Sequence, residues 1–260
     1  MSGPTPAPGG TLYLVPAPLD FGCAAQVPLA DALPEGTLRA AAGITHWVCE
    51  NAKSARAYLK RIDEAHPLAA PLQAQQITEL PRAVHKKGDH GGGFDARPLL
   101  APALAGHAMG LLSEAGMPAV ADPGSSVVRA AHDLGLPVVP LVGPVSLLLA
   151  LAASGLNGQG FAFAGYLPQD AGERAVRIRA LEAHALQTGQ AQICIETPYR
   201  NAALLQALLA ALHPGTRLSV SQGLTLPAGR TRSARVADWR KSPQDGTPDG
   251  HTPAVFAFGP

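Results

Sequence analysis

The segment 109–146 constrains the fold more than any other part of this chain, because it holds two apolar runs that each end in a turn rich in glycine and proline. The runs are Met109–Ser113 and Pro137–Val142, and a helical pattern follows each turn. In an open α/β sheet, ligands bind at the carboxyl ends of such strands, where the backbone N–H groups of the following helices point. The segment therefore predicts a ligand site at strand ends.

The turns themselves carry helix-start and helix-stop signals. Asp122–Ser126 predicts the start of a helix with Ser125 or Ser126 as N-cap, and Gly135 predicts its end. The second turn ends in Gly143–Pro144, and proline suits the first turn of a helix. Although 141–151 is strongly apolar, it is too short and too interrupted to span a bilayer, so we expect a buried helix there.

Strand-like and helical patterns alternate through the first half, which predicts a mostly parallel sheet covered on both faces. The pattern fails in Ala69–Arg97, where we expect a mobile loop with a functional or partner role. Gly155–Gly160 predicts a hinge. The expected organisation is a disordered tail at 1–10, an N-terminal α/β domain at 11–155 and a C-terminal α/β domain at 156–260. Predicted strands are 11–15, 45–49, 109–113, 137–142, 161–166, 191–196, 216–221 and 254–258, and predicted helices are 54–65, 99–106, 125–134 and a leucine-rich one after Thr197–Pro198.

Composition limits the function classes. The chain has 260 residues, 47% of them hydrophobic, and a formal net charge of +1, so no global basic field indicates nucleic-acid binding. Its three cysteines, Cys23, Cys49 and Cys194, lack any CxxC spacing, which argues against a zinc site or a disulfide framework and favours a reducing cytoplasm. We expect neither a metal nor a membrane as partner.

Common catalytic signatures are absent from the sequence. It contains no HExxH, no Walker A motif and no GxGxxG. His90–Gly93 matches the HGGG element of esterases, but the GxSxG nucleophile that such enzymes need is missing. A hydrolase is an alternative class, and it would require a histidine within hydrogen-bond reach of a serine.

Several motifs, in this order, resemble one known family. SEAGMPAVADPG and VVPLVGPVS are similar to the SDAGTPGISDPG and VVPLPGPSA elements of the tetrapyrrole methylase superfamily of S-adenosylmethionine-dependent methyltransferases, and especially of its ribosomal RNA 2′-O-ribose methylase branch. The likeness extends to the segments 12–18, 153–156, 165–168 and 196–200, and so to nearly the whole chain.

The resemblance implies a two-domain α/β fold, with a mostly parallel sheet in the N-terminal domain, a mixed sheet with flanking helices in the C-terminal domain, and a cleft between them. It implies S-adenosylmethionine as cofactor, a homodimer and RNA as the methyl acceptor. A tetrapyrrole or other small molecule is the alternative acceptor, and a cofactor-binding regulator without turnover is a further alternative.

The resemblance also implies a set of cofactor contacts, each of which could instead be an ordinary strand-to-helix turn. They are Pro18, Ser113, Glu114, Gly116, Met117, Pro118, Val145, Ser146, Glu196, Thr197, Thr225 and Leu226.

The run 50–56 follows the second predicted strand, where the resembled methylases carry an EDTRHTR-like sequence. We expect Glu50 to have a polar role near the acceptor, with Lys53 and Arg56 as orienting cations; the alternative is a capped, solvated helix start. Asn51 and Lys53 depart from the family pattern, as do Gln222 and Leu226 in a later ARELTK-like run. Five cations between Arg230 and Lys241 form a basic segment that is either a solvated face or a contact for phosphates.

Overall fold

The computed structural model describes residues 10–87, 89–91 and 93–260. The chain divides into two compact units. The first comprises its described residues up to Phe21 together with Val27–Pro144, and the second comprises Gly22–Gln26 and Val145–Pro260.

The described strands of the first unit form a five-stranded, all-parallel sheet in the order β3-β2-β4-β1-β5. Its strands are β1 (Leu12–Val15), β2 (His46–Cys49), β3 (Gln76–Glu79), β4 (Met109–Leu112) and β5 (Val138–Pro140). Its helices are α1 (Leu29–Ala32), α2 (Glu35–Ala42), α3 (Ala52–Ala65), α4 (Arg82–Lys87), α5 (Ala101–Leu104) and α6 (Ser125–Asp133), with 3-10 turns at Leu72–Ala74 and Arg97–Leu100.

Two apolar clusters cover this sheet. One packs α2 and α3 around Trp47, Leu59 and Ile62, and the other packs α5 and α6 around Leu100 and Val127. Strands buried by helices carry near-continuous apolar runs, which is why β4 is buried along its whole length. The prediction of a mostly parallel α/β sheet is confirmed.

The second unit contains a mixed sheet in the order β6-β7-β10-β8-β9, in which only the β6–β7 pair is parallel among the described strands. Its strands are β6 (Phe161–Tyr166), β7 (Ala191–Ile195), β8 (Arg217–Gln222), β9 (Arg230–Arg235) and β10 (Ala254–Gly259). Its helices are α7 (Ser146–Ser154), α8 (Ala171–Thr188), α9 (Asn201–Ala211) and α10 (Val236–Lys241), with 3-10 turns at Pro198–Arg200 and Pro243–Gly246. The prediction of a mixed sheet with flanking helices is confirmed.

Helix α7 marks a difference from the expected organisation. We expected this helix in the first domain, 11–155, but its residues Leu147, Ala150 and Leu151 pack against Ile193 and Val255 of the second unit. An apolar helix face must be covered by another apolar surface, and here the second sheet provides it. The expectation of a buried helix holds only for that face, because Leu148 and Leu149 are exposed.

Two polar strands were not predicted. β3 lies in the stretch 69–97 where we expected a mobile loop, and β9 lies in the basic segment. Both are the outermost strands of their sheets. The residues of β3 are largely exposed, those of β9 are mostly half-buried, and neither strand has an apolar pattern.

The chain start and one helix cap also differ from expectation. Residues 1–9 of the predicted tail lie outside the described residues, whereas Gly10 is buried and its N–H donates to the carbonyl oxygen of Ala103 at 2.7 Å. The N-cap of α6 is Gly124, with a φ of 135°, and neither Ser125 nor Ser126. Within the described ranges, no helix is long and apolar enough to cross a membrane.

Candidate functional site

The carboxyl edge of the parallel sheet gathers most of the predicted site residues of the first unit. The loop after β1 carries Pro18, the loop after β2 carries Glu50, and the loop after β4 carries Ser113–Pro118. β2, β4 and β1 are neighbours in the sheet, so these three loops begin side by side.

Backbone hydrogen bonds join the loops after β1 and β4. The N–H of Ala17 donates to the carbonyl oxygen of Gly116 at 2.9 Å, and the N–H of Gly116 donates to that of Ala17 at 3.0 Å. Gly116 has a φ of 73°, a conformation that glycine adopts without steric cost. This bridge fixes the turn that the sequence analysis assigned to cofactor contact, with Pro18 and Pro118 both buried beside it.

The β1 loop has a second anchor in the first unit. Arg61 of α3 donates to both carboxylate oxygens of Asp20 at 2.9 Å, and Asp20 is only 2% exposed. The hydroxyl of Tyr58 donates to the carbonyl oxygen of Pro16 at 2.8 Å. Helix α3 therefore holds the loop that contains Pro18.

The loop between β4 and α6 is strained. Ala119 and Ala121 have φ values of 64° and 65°, which cost energy for residues with a Cβ. Such conformations persist only where surrounding contacts enforce them. Met117 and Pro118 in this loop line a cavity of about 600 Å³, together with apolar residues such as Leu14, Val128 and Pro140.

Asp89 forms hydrogen bonds with the residues at which this strained loop joins α6. Its buried carboxylate accepts from the N–H groups of Gly124 and Ser126 at 2.9 and 2.8 Å, and from the hydroxyls of Ser125 and Ser126 at 2.7 and 2.6 Å. Although burial opposes ionisation, these hydrogen bonds lower the pKa of Asp89 to about 2. The carboxylate thus caps α6 from a distant part of the chain, which explains why neither serine is the N-cap.

Glu50, Glu114 and Asp122 form a group of carboxyls at the same edge. Burial, followed by repulsion from Asp122 and Glu114, raises the pKa of Glu50 to about 7. Burial and repulsion from Glu114 raise the pKa of Asp122 to about 6, against a hydrogen bond from Ser113. Ser54 Oγ donates to Glu114 Oε1 at 3.0 Å. A cation bound beside this group would offset the repulsion and favour the ionised forms.

The predicted cations begin helix α3. The side chain of Asn51 caps the helix by accepting from the N–H groups of Lys53 and Ser54 at 2.8 and 3.3 Å. Lys53 and Arg56 are exposed, and neither forms an ion pair with a carboxylate in the part of the chain that the structure describes. The capped helix start and the orienting role are therefore compatible with each other.

The second unit holds the remaining predicted contacts. Val145 is the N-cap of α7 and Ser146 its first residue. Glu196 follows β7, and its Oε1 accepts from the N–H and hydroxyl of Thr197 at 2.8 and 3.3 Å. Thr225 has a φ of 70° in the β8–β9 turn, and Leu226 donates its N–H to the carbonyl oxygen of Gly223 at 2.9 Å. All of these residues lie in turns at the ends of strands or helices.

Among the residues that the structure describes, no hydrogen bond joins a serine side chain to a histidine, and Cys49 and Cys194 are buried. Burial raises the pKa of Cys49 and of Cys194 to about 12, so both stay protonated. Ser125 and Ser126 donate their hydroxyls to Asp89, as a capping interaction requires. Of the described His, Cys, Asp and Glu side chains, no three or more are grouped so that they could hold a metal ion.

No sequence motif predicts the contacts of Asp89, the carboxyl group at Asp122 or the Asp20–Arg61 pair. Asp89 lies 35 residues from Gly124, so no local motif signals that contact. Asp122 was assigned only to a turn, although its acidic side chain follows a glycine- and alanine-rich loop at a predicted ligand edge. A count of carboxyls near the predicted strand ends would have drawn attention to it.

Comparison with solved structures identifies the class of fold. The methyltransferase CobJ matches with a TM-score of 0.57 at 18% identity, covering 96% of this chain and 94% of that one. Uroporphyrin-III-C-methyltransferase from Thermus thermophilus matches with a TM-score of 0.52 at 21% identity and the same coverage. The chain therefore has the fold of the tetrapyrrole methyltransferases, as the family resemblance implied.

Curated relatives point to one branch. Proteins named ribosomal RNA small subunit methyltransferase I are 39% identical over 137 residues in Mesorhizobium japonicum, covering 53% of this chain and 45% of that protein, and 31% identical over 204 residues in Streptococcus pyogenes, covering 77% and 60%. The chain spans about half the length of the curated relatives it matches. No protein-family model matches. The predicted similarity to this branch is confirmed.

Proposed function

We propose that this protein is an S-adenosylmethionine-dependent methyltransferase that acts on RNA. The observation that carries the proposal is the similarity to ribosomal RNA small subunit methyltransferase I, at 31% identity over 204 residues in one relative. The fold and the loops at the carboxyl edge of the parallel sheet support it.

The residues at this edge fit such a cofactor. When bound, S-adenosylmethionine supplies a methyl group activated by a positively charged sulfonium. Glu50, Glu114 and Asp122 repel one another, and a nearby cation would relieve that repulsion. The apolar cavity beside Met117 and Pro118 has room for a nucleoside-sized group. Neither feature depends on a metal ligand.

Positioning is the main task of the protein in this reaction, because methyl transfer is an in-line displacement that needs no covalent intermediate. The Ala17–Gly116 bridge holds two loops in a fixed relation. Pro18, Ser113, Glu114, Gly116, Met117 and Pro118 are the proposed contacts of the first unit, and Val145, Ser146, Glu196, Thr197, Thr225 and Leu226 those of the second.

Acceptor chemistry is assigned to Glu50, Lys53 and Arg56. A hydroxyl acceptor must lose its proton, and a carboxylate with a pKa of about 7 can take it near neutral pH. Lys53 and Arg56 would contact RNA phosphates. Assembly as a homodimer and a cytoplasmic location belong to the same proposal.

A tetrapyrrole or other small molecule is the second candidate acceptor. It is favoured by a net charge of only +1, since RNA-binding proteins commonly carry a stronger basic field, and by the fold shared with tetrapyrrole methyltransferases. The third possibility, a cofactor-binding regulator, predicts binding without turnover.

The test is transfer of a labelled methyl group from S-adenosylmethionine to small-subunit ribosomal RNA or to a tetrapyrrole. We expect transfer to RNA, with a KM that rises steeply with salt because phosphate contacts release counterions. Lys53→Ala with Arg56→Ala should raise that KM by about tenfold or more, since each phosphate contact contributes to affinity.

The matched control is Arg39→Ala with Lys60→Ala, which removes the same charge from exposed positions on α2 and α3. It should change the KM by less than about twofold. If the labelled methyl group appears on the tetrapyrrole and not on the RNA, the small molecule is the acceptor. Cofactor binding without transfer to either acceptor would favour the regulator.

A further inference from the structure

A polar cavity in the second unit is lined by none of the residues assigned to methyl transfer. It has a volume of about 340 Å³ and is built on the antiparallel strands β8 and β9. The cross-strand pairs Val220–Arg232 and Gln222–Arg230 line it, together with Asp245 and Gly246 from the following 3-10 turn.

Gln222 contributes a buried donor without a partner. The residue is 6% exposed, and its Oε1 accepts from Arg230 Nη2 at 3.4 Å. This contact sets the orientation of the amide and leaves Nε2 without any hydrogen-bond partner in the described chain. A buried donor left unpaired is destabilising, so an acceptor supplied by a ligand would be favoured at this position.

Two guanidinium groups stand on the same face of the hairpin. Arg232 is held rigidly, because it donates to the carbonyl oxygens of Ser242 and Asp238 and lies 4.0 Å from the centre of the Trp239 ring. The hydrogen bonds described for Arg230 use only its Nη2, which also donates to the carbonyl oxygen of Thr247 at 3.2 Å. Arg230 therefore has further N–H groups to offer.

The charge and size of the cavity define the ligand. Two arginines and an amide donor suit an oxyanion, and arginine binds phosphate through paired N–H groups. Asp245 adds a carboxylate that disfavours a second anionic group and suits a ligand hydroxyl. A volume of about 340 Å³ exceeds that of a bare phosphate and lies at the lower end of small-molecule sites.

We propose that this cavity between β8, β9 and the 243–246 turn binds a phosphate monoester of a small hydroxylated molecule, with Gln222 and Arg230 as its phosphate contacts. A terminal phosphate can reach a side chain as buried as Gln222, whereas the diester backbone of a polymer carries substituents on both sides. The site does not rest on the proposed methyl transfer.

Calorimetric titration at constant ionic strength tests the proposal, with ribose 5-phosphate, ribose, orthophosphate and a short oligouridylate lacking a terminal phosphate as probes. We expect ribose 5-phosphate to bind and to bind more tightly than orthophosphate, while ribose and the oligonucleotide bind at least about tenfold more weakly, because each lacks the doubly charged terminal phosphate.

Two variants make the test specific to this cavity. Gln222→Leu replaces a buried amide, whose Nε2 has no partner and whose Oε1 has one long hydrogen bond, by an apolar side chain of similar size, so the fold should be retained. Arg230→Gln changes an exposed residue. Each should weaken binding of ribose 5-phosphate by roughly tenfold or more, because each removes a hydrogen bond to a charged group. The control Arg235→Gln, at the exposed end of β9, should change binding by less than about twofold.

Three results would overturn the proposal. The first is the absence of ribose 5-phosphate binding to the unmodified protein. The second is equal binding by the unmodified protein and both cavity variants. The third is tighter binding of the oligonucleotide than of ribose 5-phosphate, which would make this face a surface for nucleic acid.

Discussion

Carboxyls at the edge of the parallel sheet have opposite pKa shifts because their surroundings differ. Asp89 is buried, but four donors surround it and hold its pKa at about 2. Glu50 is partly buried beside Asp122 and Glu114, and its pKa rises to about 7. Asp89 therefore stabilises the fold as an anion, whereas Glu50 in its anionic form destabilises it.

Replacing Asp89 by Ala tests the first of these roles. The substitution leaves the buried N–H groups of Gly124 and Ser126 without an acceptor, so we expect a loss of about 2–4 kcal/mol in the free energy of unfolding. Thermal or urea unfolding measures it. Asp95→Asn, which changes only exposed contacts with Arg97, should cost much less stability than Asp89→Ala.

The direction of the pKa shift of Asp89 determines how the stability difference between the unmodified protein and Asp89→Ala depends on pH. Because the folded pKa of Asp89 lies below the unfolded value of 3.8, its stabilisation is present above about pH 4 and is lost as the pH falls toward 2. The difference in the free energy of unfolding between the unmodified protein and Asp89→Ala should therefore decrease over that range. A difference that stays constant from pH 6 to pH 3 would contradict the account.

For Glu50 we expect the opposite dependence of stability on pH. Its folded pKa of about 7 lies above the unfolded value of 4.5, so the native state keeps a proton that the unfolded chain has lost, and stability falls as the pH rises between these values. Glu50→Gln should therefore be more stable than the unmodified protein at pH 8, by about 1–3 kcal/mol, and the advantage should disappear near pH 4.

Unfolding curves recorded from pH 4 to pH 8 measure this trend. The control is Glu35→Gln, since Glu35 is exposed and pairs only with Arg39 one turn later on α2. Its effect should be small and nearly independent of pH. An advantage of Glu50→Gln that is equal at pH 4 and pH 8 would show that Glu50 is not destabilised in the folded state.

Elements with a strong apolar pattern were predictable and polar ones were not. The sequence placed β1, β2 and β4 within one residue of their observed ends, because buried strands need uninterrupted apolar side chains. The strands β3 and β9 were not predicted from the sequence, because an outermost strand is stabilised by backbone pairing with one neighbour and needs no apolar pattern. The loops after β1 and β4 were placed correctly, but the Asp89 contact that orders α6 joins distant parts of the chain and had no local signal.

Packing between neighbouring strands explains why Gly110 is needed in the middle of β4. A Cβ there would lie 2.4 Å from Cε3 and Cζ3 of Trp47, which is 1% exposed and donates its Nε1–H to Gln75. We expect Gly110→Ala to lower the free energy of unfolding by about 3 kcal/mol, since the indole cannot move without disturbing the core.

Gly135→Ala is the matched control. Gly135 has a φ of 68° and no heavy atom within 4 Å of its Cβ position, so the substitution adds backbone strain of about 1 kcal/mol without a clash. Chemical unfolding of both variants, followed by tryptophan fluorescence, measures the difference. Equal losses would mean that the Trp47–Gly110 contact does not limit the packing of β2 against β4.

At the scale of the whole molecule, fold and activity rest on different observations. The fold is shared with tetrapyrrole methyltransferases over 96% of the chain, and the sequence motifs were sufficient to predict it. The proposed activity rests on relatives of which this chain spans about half the length, and on the proposed cofactor contacts in the loops of the first unit. The most direct test of the proposed function is therefore binding of the cofactor itself.

That test is calorimetric titration of S-adenosylmethionine into the unmodified protein and into Met117→Trp, with and without a chelator. Met117 is half-buried in the cavity wall, so an indole there should fill the cavity and weaken binding by about tenfold or more while unfolding stays cooperative. The account predicts binding that the chelator leaves unchanged and that Met117→Trp weakens by about tenfold or more. No binding at high cofactor concentration, binding that requires a metal, or undiminished binding to folded Met117→Trp would contradict it.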